Sequence, residues 1–101
     1  MAVEVRWTLY SLEDIENIAE FISKGSLFYA QVQTERFFQR VEILETYPQA
    51  GRKVPEINSP DIRELIEGNY RIIYRIINAS LVEILTVHPS SRLLMNNPFQ
   101  E

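Results

Sequence analysis

Residues 3–9 alternate. Val3, Val5, Trp7 and Leu9 stand against Glu4, Arg6 and Thr8, the period of a strand with one buried face. The period then lengthens. Leu12, Ile15, Ile18, Ala19 and Ile22 recur at helical spacing, which predicts a helix over about 11–24. Ser11 is its expected N-cap, with Glu13 and Asp14 in the first turn, and Lys24-Gly25 is its stop. Ser26 caps a second helix, whose buried stripe reads Leu27, Ala30, Thr34, Phe37, Phe38, Val41 and Leu44. It is expected to run to about Tyr47, because a residue preceding proline is disfavoured in the helical region. Only about two residues join the helices, so they pack as an antiparallel pair.

"YPQAGRKVPEINSP" breaks the pattern with three prolines and a glycine. It predicts a long loop with a short extended piece at Lys53–Val54, and loops of this length in compact domains often carry function. Strand patterns resume at Ile62–Glu67, Tyr70–Ile77 and Leu81–His88, and Pro89 ends the last. Gly68-Asn69 and Asn78-Ala79-Ser80 are the turns between them. The order is strand, helix, helix, loop, strand, strand, strand. It predicts a single α+β domain over residues 1–101. An antiparallel two-helix hairpin packs on one face of a sheet that ends in a C-terminal three-strand antiparallel meander. The N-terminal strand joins that sheet to bury Trp7, at a place the pattern leaves open. The tail after Pro89 is left unassigned.

A two-residue turn at Gly68-Asn69 sets the register, with Glu67 opposite Tyr70, Leu65 opposite Ile72 and Arg63 opposite Tyr74. One face of the middle strand carries Tyr70, Ile72, Tyr74 and Ile76, and belongs against the helices. The other mixes Arg71 and Arg75 with Ile73 and Ile77. That face is expected to be open or covered by something else. Glu64 lies within reach of either arginine.

Composition narrows the function classes. The net charge of −4 disfavours a general nucleic-acid binder, although the fourteen acids are unevenly placed. Residues 1–47 hold eight acids and four bases, whereas residues 48–101 hold six of each, so the C-terminal half can present a local positive patch. With no cysteine there is no disulfide framework and no thiolate chemistry, which fits a reducing cytoplasm. No apolar run reaches membrane-spanning length, and the N-terminus has no secretory pattern. No metal-ligand spacing or glycine-rich phosphate loop is present, so neither metal nor cofactor is expected. His88 is the one histidine.

The chain resembles the RelE/ParE superfamily of toxins from type II toxin–antitoxin, or plasmid stabilisation, systems. The resemblance is carried by "YPQAGRKVPE" (47–56), "IRELIEGNYRIIYRI" (62–76) and "VEILTVHPSSRLL" (82–94), preceded by "LEDIENIAEFI" and "AQVQTERFFQRVEILETYP". It implies a small bacterial α+β toxin whose surface is wrapped by the C-terminal segment of a cognate antitoxin. ParE-like members poison DNA gyrase through protein–protein contact; RelE-like members cut mRNA on the ribosome. The wording of this chain is closer to ParE. It lacks the paired lysines of the ribonucleases around Glu64-Leu65 and the basic residues after the last strand. The resemblance therefore implies a gyrase inhibitor rather than an enzyme, with ribosome-dependent endoribonuclease as the alternative. A weakly toxic antitoxin partner is a third reading. The implied partner-binding residues are Arg52, Arg63, Arg71, Ile73, Arg75, His88 and Arg92. In the ribonuclease alternative Arg71 and Arg75 would stabilise charge, with His88 and Glu64 as proton-transfer groups.

Overall fold

The computed structural model describes residues 2–91. Strand β1 (Glu4–Trp7) leads into helices α1 (Leu9–Ser23) and α2 (Leu27–Arg40), and a 3-10 turn at Val41–Glu45 closes the helical half. Strands β2 (Arg52–Lys53), β3 (Ile62–Glu67), β4 (Tyr70–Asn78) and β5 (Leu81–Pro89) follow. They form one five-stranded sheet in the order β1-β5-β4-β3-β2. The meander β3-β4-β5 is antiparallel as the pattern predicts, and β1 pairs parallel with β5. The N-terminal strand thus finds its place at the outer side of the last one. The α+β architecture, with both helices against one face of the sheet, is the one read from the sequence.

The first helix begins earlier than its pattern indicates. Thr8, not Ser11, is the N-cap: its Oγ1 accepts from the Ser11 amide at 3.1 Å and donates to the Ile84 carbonyl at 2.8 Å. Capping by a residue tied to β5 pulls the helix start to Leu9, which is 73% exposed instead of facing the core. Ser11 is buried inside the first turn, where its hydroxyl donates to the Thr8 carbonyl. The second helix tightens to 3-10 geometry at Val41, short of Tyr47, and two members of its predicted stripe, Leu27 and Phe38, are exposed. Phe38 instead covers Trp7, with ring centroids 4.8 Å apart.

Between helices and sheet lies the main core, which includes Ile15, Phe37, Val41, Leu44, Leu65, Ile72, Tyr74, Val82, Ile84 and Val87. The tyrosine face of β4 does meet the helices: Tyr70 packs edge-on to Phe37 at 5.3 Å. Full burial of one such side chain is worth roughly 1.5–3 kcal/mol, so this layer dominates the driving force.

The opposite face is not open. Val54, Ile62, Ile73 and Leu85 form a second, smaller core there, with Ile57 packed against it. The loop after β2 therefore folds back as a strap over the arginine face. Its turn is closed by Asn58 and Ile57 amides donating to the Val54 carbonyl at 2.7 and 3.1 Å, with Asn58 at φ 54°. Asn58 suits this left-handed position because its short polar side chain tolerates it.

The register of β3 on β4 is the predicted one, from Glu67↔Tyr70 to Ile62↔Arg75. Gly68 alone in that turn takes positive φ, at 58°. Between β4 and β5 the ladder slips: Ile73 pairs Thr86 but Tyr74 pairs Ile84, leaving Leu85 as an extra residue. Such a bulge inverts the alternation beyond it. Val82 and Ile84 face the helices before the bulge and Val87 faces them after it, so His88 falls beside Arg71.

Candidate functional site

On the strap side, the elements converge on one guanidinium. Arg71 projects from β4 next to its cross-strand neighbours Ile66 and His88. Its Nη1 and Nη2 donate to the two carboxylate oxygens of Glu56 at 2.6 and 2.8 Å. Its Nε donates to Oε1 of Glu64 at 2.6 Å. The second oxygen of Glu64 accepts from Nε of Arg52 at 2.5 Å. Two cations and two carboxylates are thus linked in a chain from β2 through β3 and β4 to the strap.

Burial makes this pairing obligatory. The side chains of Arg71 and Glu64 are 4% and 0% exposed. An ion taken that far from water is tolerated only when paired and hydrogen-bonded. The bonds to Glu56, opposed by desolvation and then reinforced by Glu64, push the pKa of Arg71 above its ordinary value. Arg52 is different: its side chain is 65% exposed, so it closes the network from the solvent side. A cleft of about 370 Å³ opens there, lined by Arg52, Pro55, Glu56, Ile66, Arg71 and Ser90.

A second constellation fixes the entry to the strap. The buried Tyr74 hydroxyl donates to the Pro48 carbonyl at 2.7 Å and accepts from the Gly51 amide at 2.9 Å. Arg63 Nη1 and Nε donate to the carbonyls of Gly51 and Pro60 at 2.9 and 3.0 Å. A Cβ at Gly51 would lie 2.5 Å from the Glu64 carbonyl oxygen, so the backbones can approach this closely only through glycine. Both ends of the loop are thereby tied to β3 and β4.

Over residues 5–94 the sequence matches the family described as "ParE toxin of type II toxin-antitoxin system, parDE". The chain belongs to the ParE toxin family. No curated protein sequence matches it. Among solved structures it is similar to a chain of a chromosomal ParDE toxin–antitoxin system from P. aeruginosa. The identity is 18%, the TM-score 0.71, and the match covers 87% of this chain and 96% of that one. It is also similar to a chain of the toxin–antitoxin complex RelBE2 from Mycobacterium tuberculosis. There the identity is 21%, the TM-score 0.56, and coverage is 88% and 99%. At these identities the likeness is one of fold.

Within this ParE chain, the sequence-predicted site residues separate into groups. Arg52, Glu64, Arg71 and His88 come together around the cleft or directly beside it. Arg75 does not join them: it lies further along β4, opposite Ile62 and Glu83. Arg63 is occupied by loop carbonyls. Ile73 is fully buried beneath Val54 and Leu85, which corrects its reading as contact surface. Ile77, on the same expected face, is 42% exposed. Arg92 lies outside the described residues. The residue that sequence reading missed is Glu56. Its signal was present: a strand arginine destined for burial requires carboxylates, and "VPE" offers one from the only long loop. Among the described residues no group of three or more His, Cys, Asp or Glu side chains is arranged to hold a metal ion. None of their helices is long and apolar enough to cross a membrane.

Proposed function

We propose that this chain is a ParE-like toxin that inhibits DNA gyrase in the cytoplasm by protein–protein contact. In this reading it is neutralised by the C-terminal segment of a cognate antitoxin. The ParE family match and the likeness to chains of the ParDE and RelBE2 systems support the antitoxin partner. One observation carries the preference for gyrase over mRNA cleavage. Both oxygens of Glu64 are taken by arginines, and the guanidinium of Arg71 is already held by two carboxylates. A general base needs a lone pair aimed at its substrate, and a phosphate stabiliser needs charge that is not already neutralised. The net charge of −4 further opposes docking on ribosomal RNA, where affinity rests on counterion release.

The ribonuclease alternative keeps one specific support. The β5 bulge sets His88 beside Arg71, which bonds Glu64, so a Glu/His/Arg set does share one face. Induced expression with separate readouts of DNA-damage response and mRNA integrity distinguishes the two. The gyrase reading predicts damage signalling with intact messages; early cleavage of messages, abolished by H88A, contradicts it. Unaffected growth contradicts both and leaves the weakly toxic antitoxin partner.

A further inference from the structure

Strand β4 runs past the end of β3. Their last pair is Ile62↔Arg75, and β4 continues to Asn78. On this overhang Ile76 is only partly buried against the main core, and its amide donates to the Asp61 carbonyl at 2.8 Å. A pocket of about 700 Å³ opens there, against about 370 Å³ for the cleft beside Arg71. Ile76 and Asn78 line it from the sheet, Ile43 from the 3-10 turn, and Tyr47, Pro48 and Ala50 from the segment after that turn. The wall is preformed. The Tyr47 amide donates to the Ile43 carbonyl at 2.8 Å, the Ala50 amide to the Tyr47 carbonyl at 3.0 Å, and the Tyr74 hydroxyl holds the Pro48 carbonyl. A wall already ordered loses little entropy on binding. The lining carries no charged side chain, yet acids stand next to it. Glu42 and Glu45 are the sequence neighbours of lining residues Ile43 and Thr46, Asp61 is bonded to Ile76, and all three are exposed. The base tied to the adjoining turn is Arg63, through the Gly51 carbonyl.

We propose that this pocket is the surface by which the chain holds its protein target. The proposal rests on the gyrase reading: the pocket seats an apolar side chain of gyrase, flanked on the gyrase surface by lysine or arginine. An uncharged apolar hollow ringed by acids fits an apolar anchor with a basic rim. Exposure argues for a protein instead of a free small ligand. Pockets for small ligands bury roughly 70–90% of their occupant, whereas here Tyr47 is 64% exposed and Ile43 42%. An aromatic standing at the rim of an apolar hollow is the kind of residue that dominates protein interfaces. Nucleic acid is repelled by the neighbouring acids. A second copy of this chain is disfavoured, because a two-fold contact across this surface sets the same acids against each other.

The test uses the full chain, purified gyrase with relaxed plasmid, and cognate antitoxin. Y47A and I43A should each raise the concentration that inhibits supercoiling by about tenfold or more, the scale of an interface hot spot. Both side chains are exposed, so the thermal midpoint and the antitoxin affinity should stay unchanged. E42Q/E45Q should also weaken inhibition and flatten its dependence on salt. F28A removes an aromatic that is 66% exposed at the other end of α2 and should inhibit as the unsubstituted chain does. One readout needs no variant: saturating gyrase should slow hydrogen exchange at the Tyr47 and Ala50 amides of the unsubstituted chain. Undiminished inhibition by Y47A and I43A overturns the proposal while the toxin reading stands. So do unchanged exchange at those amides and an equal loss in F28A. Lost antitoxin affinity in Y47A overturns it by giving the pocket to the antitoxin, and self-association abolished by Y47A overturns it by giving the pocket to a second copy. An unsubstituted chain that leaves gyrase unimpaired overturns the toxin reading and this proposal together.

Discussion

The Tyr74 hydroxyl accepts a hydrogen bond from the Gly51 amide at 2.9 Å, across 23 positions of sequence. The same oxygen donates to the Pro48 carbonyl, so one buried phenol holds both sides of the turn that starts the strap. Replacing it by Y74F keeps the ring and removes both bonds. Leaving a buried donor and acceptor unsatisfied costs roughly 1–3 kcal/mol. Denaturant unfolding should show that loss in the midpoint with little change in slope. G51A should be at least as damaging, because its Cβ would meet backbone at Glu64 as well as the Tyr74 ring.

The same phenol makes stability depend on high pH. Desolvation, only partly opposed by the Gly51 amide, raises the pKa of Tyr74. The folded state therefore keeps the proton at pH values where the unfolded chain releases it. This contribution is complete below the ordinary tyrosine value near 10 and is lost as pH rises through the raised one. Thermal unfolding between about pH 9 and 11.5 should show a steeper decline for the unsubstituted protein than for Y74F. Parallel declines would mean that Tyr74 is not desolvated.

The ion network should respond unequally to truncation. E64Q removes one of the carboxylates that hold buried Arg71, and breaking a buried pair costs on the order of 3–5 kcal/mol. R52A removes a side chain that is 65% exposed, so screening by water limits its loss to about 0–1 kcal/mol. Similar midpoint shifts for the two variants would show that the network is not organised around the buried pair.

Asp14 closes the other edge of the sheet. Strand β1 stops pairing at Trp7↔Ile84, and beyond it Asp14 Oδ2 accepts from the Val87 amide at 3.0 Å and from the Thr86 hydroxyl. D14A should cost roughly 1–3 kcal/mol. It should also raise hydrogen exchange at Val87 more than at amides inside the β3–β4 ladder; uniform loss of protection would assign Asp14 to global stability alone.

How much of this was legible in the sequence depended on whether the information was local. The β3–β4 register followed from one glycine turn and two alternating faces, and it is the observed register. The place of β1 was not legible, because its pairing with β5 joins residues more than seventy positions apart. The helix start differs because the alternation places Thr8 in the strand and leaves Ser11 as the cap, whereas Thr8 is the N-cap. Capping by Thr8 goes with its bond to the Ile84 carbonyl, a tertiary contact. His88 could not be placed because Leu85 bulges, and nothing in "VEILTVHP" marks an extra residue. The site was half visible: arginines on an alternating strand could be seen, but the strap that covers them lies in a segment without periodicity. Ile73 was accordingly read as surface when it is core.

The most direct measurement of the central claim is a gyrase supercoiling assay on relaxed plasmid, with purified protein titrated in and cleaved DNA quantified in parallel. The account predicts inhibited supercoiling or accumulation of cleaved plasmid, relieved by cognate antitoxin, while mRNA on translating ribosomes stays intact at the same concentrations. Unimpaired gyrase together with ribosome-dependent mRNA cleavage would contradict it.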